Sequence, residues 1–146
     1  MNKRIVISEI EPKAYEVMFG FEKYLSQSNL TPTLKELIKI RVSQINGCAF
    51  CINLHTKDAR KMGESEQRIY ALSAWRDTPF FNETERAVLA LAEEITLINN
   101  GVSEETYSNV SKHMDDNTLA QTIMAIITIN AWNRIAITTH QQPAFD

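Results

Sequence analysis

Apolar residues recur along most of this chain at the spacing of helices rather than strands. Pro12 can open a helix, and Ala14, Val17, Met18, Phe21 and Leu25 keep helical spacing to about Ser26. After a break at residues 27–30, Thr31 reads as an N-cap with Pro32 at the first helical position. The stripe Leu34, Leu37, Ile38, Val42 and Ile45 carries that helix to about Gln44. Asn46-Gly47 reads as a turn and helix stop, and the next helix runs from near Cys48 to Met62 and Gly63. Ser65 opens a short helix through Leu72 or Trp75, broken by Asp77-Thr78-Pro79. Asn82 and Glu85 have the spacing of a capping box before a helix to about Ile98. Ser103 starts a helix to about His113, and Asp116 or Asn117 caps the last one, which runs to about Ile137. That helix is apolar nearly all round at Ile123, Met124, Ile126, Ile127 and Ile129, which places it in the core or at an oligomer interface. Residues 1–8 read as an extended lead-in and 138–146 as a loose tail. A faint internal echo relates Ile45-Asn46-Gly47-Cys48 to Ile129-Asn130-Ala131-Trp132.

Composition agrees with this pattern. Only 4 Gly and 4 Pro occur among 146 residues, which argues for long helices rather than many strands and turns. No linker-like segment divides the chain, so an all-α fold in one domain, residues 1–146, is expected. A net charge of -3, with basic pairs only at Lys3-Arg4 and Arg60-Lys61, favours neither nucleic acid nor an anionic membrane surface. No apolar run is long enough to span a bilayer, and the N-terminal apolar run is too short for a signal peptide. A cytoplasmic protein is expected, and there a Cys-x-x-Cys is catalytic or metal-binding more often than structural.

The only two cysteines are Cys48 and Cys51. On a helix starting near Cys48, positions 48, 51 and 55 lie on one stripe. Their spacing puts the two Cα atoms about 5 Å apart, within disulfide reach. The pair can therefore open and close without moving the backbone. Cys48 at the helix N-terminus gains thiolate stabilisation from unpaired N–H groups. Cys51 has His55 one turn on, where an imidazole can take or return a thiol proton. The helix terminus favours Cys48 as nucleophile; the imidazole favours Cys51. Glu36 and His55 lie ten and nine residues on either side of Asn46, so an antiparallel hairpin brings them level and the carboxylate can orient the imidazole. Zinc is the rival use of these donors. It would need Cys48 and His55 to close on one ion across about 10 Å of helix rise, with no second cysteine pair. His113 and His140, near helix ends, read as structural or exposed. Trp75, Phe80, Phe81 and Trp132 read as core or interface aromatics, some of which can line a pocket.

Glu36, the step to Cys48-Ala49-Phe50-Cys51, and His55 together resemble the AhpD-like alkylhydroperoxidases of the carboxymuconolactone decarboxylase superfamily. The resemblance spans most of residues 30–137 and includes Ala131-Trp132-Asn133-Arg134. It implies an AhpD-like helical bundle with the Cys-x-x-Cys at the start of a central helix, assembled into trimers or hexamers. The implied activity is an oxidoreductase with an antioxidant role, reducing hydroperoxides through a Cys48–Cys51 redox disulfide that a protein or lipoyl-type dithiol re-reduces. It further implies Cys51 as the attacking thiol, Cys48 as the resolving one, and His55 with Glu36 as the proton relay; no metal, haem or flavin is needed. The sequence departs from the AhpD pattern in carrying Phe50 where a histidine stands between the cysteines. A disulfide reductase or redox sensor would use the same pair. A lactone decarboxylase of this superfamily would lack it.

Overall fold

The computed structural model describes residues 2–146, and among them the chain is all-helical. Eight α-helices follow one another: α1 (Ile7–Ile10), α2 (Pro12–Ser26), α3 (Pro32–Asn46), α4 (Ala49–Lys61), α5 (Glu66–Ala71), α6 (Glu83–Thr96), α7 (Glu104–Ser111) and α8 (Asp116–Thr138). Two 3₁₀ turns, Leu72–Asp77 and Ile98–Asn100, complete the connections after α5 and α6.

Local chemistry sets most of these boundaries. The Thr31 side chain accepts the Leu34 N–H at 3.2 Å, with Pro32 at the first helical position, where its missing N–H costs nothing. The Asn82 side chain accepts the Glu85 N–H at 2.8 Å while the Glu85 carboxylate accepts the Asn82 N–H at 3.0 Å, a complete capping box. The Ser65 and Ser103 hydroxyls accept the Arg68 and Thr106 N–H groups and cap α5 and α7 as Thr31 caps α3.

The core is built around α3. One side of this helix places Ile38 and Val42 with Val88, Leu91, Ile126 and Ile129 of α6 and α8. The other places Leu37 and Ile40 with Leu72, Trp75, Phe81 and Leu89. Burial on two sides makes α3 the spine of the bundle; a single apolar stripe omits Ile40, which has no exposure at all. Trp75 and Phe81 are thus core aromatics, as their type suggested. His113 is half-buried and His140 exposed.

Three boundaries differ from expectation. Asp115, not Asp116 or Asn117, caps α8: its side chain accepts the Thr118 N–H at 2.7 Å. All three residue types cap well, so the local sequence does not distinguish them. Residues 7–10 form a short helix instead of continuing the extended lead-in. The helix expected to reach Ile98 ends at Thr96 and tightens into a 3₁₀ turn, a common way to satisfy a helix end. Beyond Thr138 the tail is not helical, but it is tied down. The Gln141 N–H donates to the Ala136 carbonyl at 2.9 Å, and Asp146 pairs with Lys57. No helix among the described residues is long and apolar enough to cross a membrane.

Candidate redox site at the α3–α4 turn

The site starts from the stop signal of α3. Gly47 takes a left-handed conformation, φ 71°, which glycine adopts without a Cβ penalty. Its N–H and that of Cys48 return to the Gln44 and Ser43 carbonyls at 3.3 and 3.0 Å. The chain then reverses, and α4 packs back along α3. Cys48 is the N-cap of α4, its sulfur accepting the Cys51 N–H at 3.3 Å. Cys48 and Cys51 are joined in a disulfide with their Cα atoms 5.3 Å apart, close to the helical spacing expected.

A polar cluster pins this turn to α8. The Asn46 side-chain amide donates to Asn130 Oδ1 and Asn133 Oδ1, both at 2.9 Å, and Asn133 Nδ2 donates to Ser43 Oγ at 3.0 Å. Asn46 and Asn130 are the matching asparagines of the internal echo, and here they meet. Satisfying these buried groups through one another fixes where the hairpin sits, because leaving any of them unpaired would be costly.

The hairpin brings Glu36 and His55 together as their spacing about Asn46 implies. His55 Nδ1 lies 3.2 Å from Glu36 Oε2, and Lys39 Nζ lies 3.2 Å from Glu36 Oε1. Glu36 is only 4% exposed. Burial alone would push its carboxyl upward. The hydrogen bond with His55 and the Lys39 ammonium outweigh this and hold it below its ordinary value, so it is a carboxylate at neutral pH. Engagement of Nδ1 fixes the ring and leaves Nε2 as the nitrogen available to a reacting group.

His55 and Cys51 open onto one cleft of about 400 Å³. Tyr15 and Phe19 of α2, Phe50 and Leu54 of α4, and Trp132 and Ala136 of α8 form its apolar wall. Tyr15 meets the Trp132 ring edge-on with centroids 5.4 Å apart, and the indole N–H donates to Glu22 Oε1 at 3.0 Å. Phe50 is half-buried against the disulfide and in this wall. Trp132 is therefore a pocket aromatic.

Sequence reasoning missed several members of the site. Lys39 stands one turn after Glu36, a spacing that could have flagged it. Asp58 lies one turn past His55. The ligand atoms of Glu36, His55 and Asp58 lie within 4.8 Å of one another and form the one group of three among the described residues that could hold a metal ion. Both Glu36 oxygens are already engaged by Lys39 and His55, and a cation there would face the Lys39 ammonium. Tyr15, Phe19, Glu22 and Gln141 enter from remote parts of the chain, and no local signal marks them.

Residues 12–94 match the model of the carboxymuconolactone decarboxylase family. The uncharacterized protein YdfG of Bacillus subtilis (strain 168) is 50% identical over 138 residues, 94% of each chain. Among solved structures, ATU0492 of Agrobacterium tumefaciens superposes with a TM-score of 0.96 at 36% identity, over 99% of this chain and 100% of that one. It is a protein of unknown function for which an AhpD role in antioxidant defence has been suggested. The debrominase Bmp8 shares the fold at a TM-score of 0.85 and 19% identity, over 93% of this chain and 74% of its own.

Proposed function

This chain belongs to the carboxymuconolactone decarboxylase family, with an AhpD-like fold, and from that premise we propose that it is a thiol-dependent peroxidase acting on hydroperoxides. The observation that carries the reading is the Glu36–His55 hydrogen bond beside a cleft that also holds Cys51 of the disulfide pair. Glu36 orients His55, and His55 Nε2 takes the proton of Cys51 in the reduced protein. The Cys51 thiolate attacks the distal oxygen of the hydroperoxide. An S–O bond forms, the O–O bond breaks, and the alcohol leaves with a proton returned by His55. The product on the protein is a Cys51 sulfenic acid. The Cys48 thiol then displaces its oxygen as water and closes the disulfide. An external dithiol supplies two electrons and two protons to reopen it.

The apolar wall of Tyr15, Phe19, Phe50, Leu54 and Trp132 suits the organic part of the substrate and excludes water from the sulfur. The protein acts in the cytoplasm, where dithiol reductants are maintained. It works as a homo-oligomer: Ile98, Tyr107 and Ile127 are exposed around an apolar cleft of about 630 Å³ between α6, α7 and α8, a surface that a second copy would cover.

Hydroperoxide consumption in the presence of dithiothreitol tests the activity. Turnover well above that of free dithiothreitol is expected for the wild type and none for Cys51→Ser. Wild-type turnover by Cys51→Ser would end the proposal. Cycling of the disulfide without peroxide consumption would make the protein a disulfide reductase or redox sensor instead.

A further inference from the structure

The two cysteines of the pair line different clefts. Cys51 lines the aromatic cleft described above, and Cys48 does not. Cys48 lines a second, smaller cleft of about 220 Å³, together with Gly47, Ala49, Ile137, His140 and Gln142. Ala136 and Gln141 line both clefts and form the partition between them. The charges differ as well. Two carboxylates, Glu22 and Asp58, line the first cleft, and its one lysine, Lys39, is paired to Glu36. No carboxylate lines the second.

We propose that the redox cycle uses two entrances: the hydroperoxide reaches Cys51 through the aromatic cleft, and the reducing dithiol reaches Cys48 through the smaller one. The inference rests on the redox-pair reading above and assigns the partner side of that site. Charge separates the two reagents. A hydroperoxide is neutral and is not repelled by Glu22 and Asp58, whereas the attacking form of a dithiol is a thiolate and is. Direction separates them too. An incoming thiolate that bonds to Cys48 releases Cys51 as the leaving thiolate, and the second cleft is the one that Cys48 lines and Cys51 does not.

The reductant thiolate bonds to Cys48 Sγ, the Cys48–Cys51 bond breaks, and Cys51 leaves as a thiolate into the cleft that holds His55, which can return its proton. The second thiol of the reductant, deprotonated, then attacks the reductant sulfur of the mixed disulfide. Cys48 is released as a thiolate that takes up the proton, and the reductant departs as a disulfide. Two electrons and two protons have passed to the protein pair.

A monothiol trap and two half-reactions test the assignment. The disulfide form of the wild type is exposed briefly to glutathione, quenched in acid and alkylated, and the peptide holding both cysteines is fragmented. Glutathione is expected on Cys48 with the alkyl group on Cys51; the reverse pattern at the earliest times would overturn the proposal. In the second test, Ile137→Trp fills the Cys48 cleft and Leu54→Trp the Cys51 cleft. Ile137→Trp is expected to slow disulfide reduction by dithiothreitol about tenfold or more while oxidation of the pre-reduced protein by cumene hydroperoxide changes less than about twofold; Leu54→Trp should do the opposite. If both variants slow both halves alike, one entrance serves both reagents and the proposal fails. If the pre-reduced wild type does not react with hydroperoxide but glutathione still marks Cys48, the peroxidase reading falls and the reductant entrance stands.

Discussion

Glu36→Gln separates the relay from the scaffold. The substitution keeps the shape of the side chain and removes its charge. In the native site that charge accepts from His55 and Lys39, each at 3.2 Å, and burial alone would disfavour it. Deleting one member of a buried ion pair costs about 3–5 kcal/mol when the other charge is left stranded. Lys39 is not stranded, because its side chain is 18% exposed and water can take over part of its solvation. An amide oxygen can still receive one of the two hydrogen bonds. The expected cost is therefore about 1–3 kcal/mol, the range for an imperfectly satisfied buried polar group. For a chain of this size that lowers Tm by about 2–4 °C per kcal/mol.

Activity should fall further than stability implies. With His55 no longer oriented by a carboxylate, kcat/KM for hydroperoxide drops about 100-fold, the lower end of general-base contributions. The pH dependence carries a definite sign. The folded-state carboxyl of Glu36 lies below its ordinary value of 4.5, so the stability it contributes is fully present above that pH and is lost as pH falls through the folded value. The Tm gap between wild type and Glu36→Gln should thus be constant from neutral pH down to about 5 and shrink below that. Thermal melts across this range, beside peroxide-consumption kinetics at neutral pH, provide both readouts. Near-wild-type kcat/KM in a folded Glu36→Gln protein would refute the relay. A Tm gap that widens in acid would refute the electrostatic account of the carboxylate.

Cys48→Ser should stay folded, since serine also caps helices, and should form a single sulfenic acid on Cys51 without turning over; a sulfenic-acid trap read by mass spectrometry checks this. Asn46→Ala leaves buried Asn133 Oδ1 without the Asn46 donor, while Asn130 Oδ1 keeps Arg134, and should cost about 1–3 kcal/mol in denaturant unfolding, with a loss of turnover from the displaced hairpin. Ile127→Lys places a charge on the exposed apolar surface of α8 and should shift sedimentation toward the monomer while leaving the helical circular dichroism unchanged.

The sequence by itself determined whatever depends on near neighbours. Caps at Thr31, Asn82 and Ser103, the stop at Gly47, and the shared stripe of Cys48, Cys51 and His55 act across three or four residues and can be read locally. The meeting of Glu36 with His55 was legible as well, because a single tight turn between two straight helices leaves little freedom in their register. Even there the reading was partial: Lys39 and Asp58, one turn away on each helix, drew no attention because lone charged residues on a helix are usually solvated. Tertiary structure alone decided the rest. The two-sided burial of α3 needs α6 and α8 against one side and α5 with the 3₁₀ turn after it against the other. The cleft wall joins Glu22 to Trp132, positions 110 residues apart, through the packing of α2 on α8. The Asn46–Asn130–Asn133 cluster, and the placing of Cys51 and Cys48 on separate clefts that share Ala136 and Gln141, exist only where the end of α8 lies against the α3–α4 turn. Periodicity specifies which face of a helix is apolar, but not which distant face it meets; that choice is made by the packing of the whole core.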